Sequence, residues 1–192
     1  MMKLFRTTLV FSFVLAVLPV LAQGSASLPA GSPGCGDDKV NFEVKTSKSA
    51  TIPRPETGRA LVYLIEDDSD FSSSPKPTVR AGLDGQWVGA THGNSYLYFE
   101  VDPGEHHFCA SWQGRAHSGI SLLTGVNSGN GSKAAASSFT AEVGSVYYFV
   151  AKNTFYQREN SSNKLDLSLT QLNSDEGQLM VSRSAFSISK KK

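Results

Sequence analysis

Beyond residue 58 the chain alternates apolar and polar positions with a period of two. Leu97, Phe99 and Val101 alternate with Tyr98, Glu100 and Asp102, and Leu165, Leu167 and Leu169 alternate with Asp166, Ser168 and Thr170. Successive side chains of a strand point to opposite faces, so this is the pattern of half-buried strands. Tight-turn sequences fall between the alternating runs: Asp84-Gly85, His92-Gly93-Asn94, Asp102-Pro103-Gly104, Val143-Gly144-Ser145 and Asp175-Glu176-Gly177. The pattern predicts strands near 40–46, 59–66, 78–83, 86–91, 95–101, 106–112, 137–143, 146–152, 164–172 and 178–186. No segment carries a helical stripe of useful length. Short strands with close turns predict an all-β fold, an antiparallel β-sandwich of immunoglobulin- or prealbumin-like kind, with a partly open barrel as the alternative.

The N-terminus has a different pattern. Lys3 and Arg6 precede an apolar run from Thr7 to Leu18, then Pro19 and Val20-Leu21-Ala22, which reads as a signal peptide over 1–22. No later run approaches the roughly 20 apolar residues of a spanning helix, so no transmembrane segment is expected in the mature chain. Residues 23–57 read as a flexible leader holding one strand, 58–187 as one β-sandwich domain and 188–192 as a basic tail. Removing residues 1–22 leaves 16 basic against 17 acidic residues, which gives no basis for nucleic-acid binding. Export places the protein in the periplasm or outside the cell. The segments 68–77 and 114–136 are rich in Gly, Ser, Asn and Pro and read as loops, the second as disordered. Asn130 and Asn160 begin glycosylation sequons.

Candidate chemistry centres on "HHFCASW". In a strand over 106–112, Phe108, Ala110 and Trp112 share the face of His106, and His107, Cys109 and Ser111 share the other. The bulky apolar set takes the core side, so the adjacent histidines cannot grip one ion together. A zinc site of Cys109 and His107 with Cys35 or His92 is the weaker alternative. An exported chain with two cysteines instead favours a Cys35–Cys109 disulfide. No nucleophile elbow or phosphate loop occurs, and the carboxylates of Asp67-Asp68 and Asp175-Glu176 fall in turn-like sequence where solvation is ordinary. No catalytic residue, metal or cofactor is expected.

Two aromatic sets are candidate binding surfaces. In a hairpin turning at Asp84-Gly85, Gly82 faces Trp87, Ala81 faces Val88 and Arg80 faces Gly89, so Trp87 covers Gly82 and Arg80 stacks on the indole. Packing, or a ligand platform, follows from that geometry. Tyr96 and Tyr98 share a face with Glu100 and form an aromatic row unless a second sheet covers them.

"GRALVYLIEDD", "PTVRAGLDGQWVGATHGNSYLYFEVDPGEHHFCASW", "SFTAEVGSVYYFVAKN" and "SDEGQL" together resemble the secreted bacterial family called domain of unknown function 2846, over about residues 58–182. The resemblance implies an exported all-β domain and carries over no catalytic residue; the insertion 114–136 departs from it. The expectation for function is a non-catalytic exported β-domain, a binding or structural module of the bacterial envelope or secretome, whose partner is an envelope polysaccharide or protein. The alternative is a metal-binding protein or hydrolase with a site assembled from His92, His106, His107, His117, Asp175 and Glu176.

Overall fold

The computed structural model describes residues 35–48, 53–72, 74–113, 134–156 and 164–192. The expected signal peptide, the leader before Cys35, most of the insertion with His117 and Asn130, and the Asn160 sequon lie outside the described residues. Ten strands are described: β1 Phe42–Ser47, β2 Ala60–Asp70, β3 Thr78–Leu83, β4 Gln86–His92, β5 Ser95–Val101, β6 Gly104–Trp112, β7 Ala134–Ala141, β8 Val146–Tyr156, β9 Lys164–Leu172 and β10 Ala185–Lys191. They form a six-stranded sheet ordered β1-β10-β5-β2-β8-β9 and a four-stranded sheet ordered β4-β3-β6-β7. Neither sheet closes on itself, so the architecture is a sandwich and not a barrel. The small sheet is wholly antiparallel, whereas β10 runs parallel to β5 and β2 runs parallel to β8.

The alternation sorts residues as the period of two requires. Val62, Leu64, Val79, Ala81, Leu97, Phe108, Ala110, Trp112, Phe149 and Ala151 meet between the sheets. The core-side assignment of Phe108, Ala110 and Trp112 therefore holds. Leu61, Tyr63 and Ile65 of β2 point to the other side of the large sheet, yet they are buried as well. This explains the unbroken apolar run "ALVYLI", because a strand covered on both faces has no polar side to alternate.

What covers that outer face was not legible as a periodic signal. The segment expected to be a strand over 178–186 is α1, Ser174–Arg183, followed by β10. Asn173 caps the helix by accepting from the Glu176 backbone N–H at 3.0 Å, Asp175 and Glu176 sit in the first turn and Arg183 in the last, each with the sign that the helix dipole favours. Gly177, Met180 and Val181 pack on the sheet at helical spacing of three and four, and the Gln178 side chain bonds Tyr148. Three contact positions are too few to stand out as a stripe. A Cβ on Gly177 would collide with the Tyr148 ring. Gly177→Ala is therefore expected to lower the melting temperature, because overpacking costs about 1–3 kcal/mol against the roughly 1 kcal/mol that alanine gains over glycine within a helix.

The Asp84-Gly85 turn has positive φ at both positions, 49° and 81°, as a two-residue hairpin of this hand requires. Leu83 pairs Gln86 and Gly82 pairs Trp87 as expected, but Ala81 pairs Gly89 and Arg80 pairs Ala90. A bulge at Val88 inserts the extra residue and corrects the register expected from simple alternation. At the far end of the chain, β10 pairs with β5 through Ala185 and Phe186 only, then continues beside β1, where Ile188 faces Lys45 and Lys190 faces Glu43.

Candidate functional site

Cys35 and Cys109 form the expected disulfide, with Cα atoms 5.6 Å apart. It seats residues 35–41 as a strap across the outer face of β3, β4 and β6. Gly82 is bare so that the strap can pass: a Cβ there would stand 2.5 Å from the Cys35 carbonyl oxygen and 2.7 Å from Cys109 Sγ. The disulfide thus takes the place over Gly82 that was expected for Trp87. Trp87 lies instead on Gly36 and donates its indole N–H to the Asp37 carbonyl at 2.7 Å. Arg80 stacks on that indole with its guanidinium carbon 4.2 Å from the ring centroid, and donates to the carbonyls of Asp38 and Val40. Burial pulls the Arg80 pKa down, and Asp38 at 3.8 Å opposes the shift. Arg80 and Trp87 form a platform for backbone carbonyls, and the protein's own strap occupies it.

Tyr96 and Tyr98 have unequal fates. Tyr96 is buried with Tyr63 and Tyr148 beneath α1, so a helix, not a second sheet, covers it. Burial pushes the hydroxyl pKa of Tyr63, Tyr96 and Tyr148 upward, and the neighbouring tyrosines add to this at Tyr63. Tyr98 stays partly exposed and stacks on Phe186, with centroids 5.4 Å apart and planes 25° from parallel. Phe186, Ile188 and Lys190 alternate along one face of β10. Where β10 leaves β5 and runs beside β1, a shallow groove of about 240 Å³ opens between Glu43, Lys45, Ile188 and Lys190. Ile188 is 55% exposed. The nearby carboxylate of Glu100 is held by Arg59 at 3.5 Å. An aromatic stack, an open aliphatic floor and two flanking ammonium groups, that of Lys45 3.8 Å from the Glu43 carboxylate, therefore follow one another along this face. The alternation identified Tyr98 as a candidate but missed Phe186 and Ile188, because the strand was placed too early in the chain.

Among the described residues, the histidines of the alternative enzyme or metal reading do not converge. His92 ends β4, where it bonds Pro77 and Thr78, while His106 lies beside the Asp84 turn at the opposite end of the sandwich. Asp175 and Glu176 belong to the first turn of α1. Among the described residues no group of three His, Cys, Asp or Glu side chains is placed to hold a metal ion. His106 has a defined charge state instead. Its Nε2 meets the Asp102 carbonyl at 2.7 Å and its Nδ1 the Asp84 carboxylate at 2.7 Å; both partners accept, so both ring nitrogens carry protons. Burial opposes the imidazolium, but the Asp102 carbonyl and the Asp84 carboxylate outweigh it and raise its pKa. Burial likewise raises Asp84, yet the His107 backbone N–H and His106 together bring it below the usual carboxylate value. A raised histidine contributes stability that is lost as pH rises through the folded pKa, and a depressed aspartate contributes stability that is lost as pH falls through its own. The melting-temperature gap between the parent and His106→Gln should accordingly be widest between about pH 4 and 6.5 and narrow on both sides.

The paired carboxylates Asp67-Asp68 were expected in solvated turn sequence, but Asp68 is 2% exposed and Glu66, two residues before it on the same strand face, 1%. Both project between the sheets. The signal that could have found them is their place in the alternation after Val62 and Leu64.

No helix among the described residues is long and apolar enough to cross a membrane. Compared with protein-family models, curated proteins and solved structures, the chain matches none. The resemblance over residues 58–182 therefore rests on the quoted segments alone.

Proposed function

We propose that this chain is a non-catalytic exported β-sandwich module that binds an acidic polysaccharide of the bacterial envelope through the outer face of β10. The observation that carries the reading is the row of Tyr98 stacked on Phe186, the open Ile188 floor and the flanking Lys45 and Lys190. Aromatic rings stack their faces on the C–H faces of sugar rings, and ammonium groups neutralise carboxylate or sulfate substituents. Export is supported by the charged, apolar start of the chain and by the disulfide, which persists in oxidising compartments.

Exposed ion pairs contribute only about 0–1 kcal/mol each, so one repeat unit binds weakly and a polymer binds through many repeats at once. Affinity electrophoresis of the mature protein through gels containing polygalacturonate or dextran tests this. Retardation by the acidic polymer, weakened by salt and abolished by Lys45→Glu with Lys190→Glu, is the expected result. Equal migration in both gels, or retardation that survives both charge reversals and Tyr98→Ala, contradicts it.

A further inference from the structure

We propose that Glu66 keeps its proton beside Asp68 and that this proton latches the two sheets together at the end of the sandwich where β2 runs into β3. The two carboxyls and Asn153 form a polar layer between the sheets, in a core that also holds Phe71 and Phe155. The Asn153 amide nitrogen donates to Glu66 Oε1 at 3.0 Å and to Asp68 Oδ1 at 2.6 Å, which uses both of its hydrogens. Its oxygen accepts from the Trp112 indole N–H at 2.6 Å. This single amide therefore joins β2 and β8 of the large sheet to β6 of the small one.

The remaining carboxyl oxygens, Glu66 Oε2 and Asp68 Oδ2, are shut off from water and have no partner of hydrogen-bonding geometry. Two ionised carboxylates at one amide in a sealed layer would repel each other and leave both oxygens unsatisfied. One retained proton removes the repulsion.

The surroundings favour retention at Glu66. Burial raises its pKa well above the usual value and Asp68 raises it further, against the opposing contacts of the Thr91 hydroxyl, the Gly93 backbone N–H and Asn153. Asp68 is raised by burial less strongly, since Asn153, Lys76 and His92 favour its charge while Asp67 opposes it. Lys76 donates to the Phe71 carbonyl and His92 to that of Pro77, so both side chains are held by the β2–β3 connection. The Asp68 backbone N–H is fixed by the Asn94 side chain at 2.8 Å, which ties the β4–β5 turn to the layer. From β6 and β8 the layer receives only the neutral groups Trp112 and Asn153.

A folded pKa above the open-state value means that the closed end binds the extra proton and opening releases it. Closure is therefore strongest in acid, and weakens as pH rises from the ordinary carboxylate range through the raised folded value. Over that window the opening equilibrium rises about tenfold per pH unit for one released proton.

Amide hydrogen exchange of the full mature chain, corrected for the intrinsic pH dependence of exchange, reads this directly. Amides at 66–71, 90–94 and 151–154 should lose protection at that slope, and Glu66→Gln, which keeps the shape and supplies a fixed donor, should abolish the slope while retaining protection. A protonated-carboxyl C=O infrared band at neutral pH, absent in Glu66→Gln, is the accompanying signature in a measurement that needs only the parent to fold. Flat protection in the parent, a slope shared equally by every amide, a slope that persists in Glu66→Gln, or no such infrared band overturns the latch. So does Ca²⁺ restoring protection at high pH in the parent but not in Glu66→Gln, which would make the pair a cation site.

Discussion

Trp112→Ala is expected to be the most damaging single substitution in the domain. Truncating a buried aromatic costs about 3–5 kcal/mol, and Trp112 is 4% exposed between the sheets. A second loss follows from its indole N–H, which donates to Asn153. Without that donor the buried Asn153 oxygen is orphaned, which adds about 1–3 kcal/mol. The sum approaches the whole stability of an ordinary domain, about 5–15 kcal/mol. Trp112→Phe separates the two contributions, because it keeps most of the volume and loses only the donor. Chemical denaturation should rank the parent above Trp112→Phe and Trp112→Phe above Trp112→Ala; a Trp112→Phe midpoint equal to the parent's would mean that the bond to Asn153 contributes nothing.

Loss of the disulfide should come second. The bond closes a loop of 74 residues, for which chain entropy gives roughly 4 kcal/mol. The strap is also held by Trp87 at the Asp37 carbonyl and by Arg80 at those of Asp38 and Val40, so it is expected to stay partly docked when the crosslink goes. Cys35→Ser and Cys109→Ser should therefore lose similar stability without unfolding at room temperature. The double variant should match either single one, since all three lack the same bond. A Cys109→Ser loss several kcal/mol larger than that of Cys35→Ser would instead locate the effect in the packing of Cys109 against β3.

The parts of the fold that were legible in the sequence are those written as side-chain alternation. Phe108, Ala110 and Trp112 declared their common face, and Asp84-Gly85 declared its hairpin, because both signals are local. Val88 did not declare the bulge, since an extra residue leaves the same alphabet of apolar and polar positions on either side. The helix Ser174–Arg183 escaped because Gly177, Met180 and Val181 supply too little stripe, and its clearest mark, Asn173 three residues before Glu176, resembles a turn. The binding face was half legible. Tyr98 was identified, but its partner Phe186 comes from β10, almost ninety residues on in sequence, and only the parallel pairing of Ala185 and Phe186 with β5 brings the two rings together. The Glu66–Asp68 layer was obscured by composition, because acidic residues near a loop read as solvated unless the period of two is followed past the last leucine.

The Tyr98–Phe186–Ile188 row with Lys45 and Lys190 is the surface proposed to meet an acidic glycan. It is tested most directly by titrating the isotopically labelled mature protein with oligogalacturonate and following every backbone amide by nuclear magnetic resonance. Saturable shifts confined to residues 43–47, 98–100 and 186–191, removed by Lys45→Glu with Lys190→Glu, are expected, with no shifts for a neutral dextran oligomer. Shifts centred on the Arg80–Trp87 strap or on the Glu66–Asp68 end, or no shifts at saturating oligogalacturonate, would contradict it.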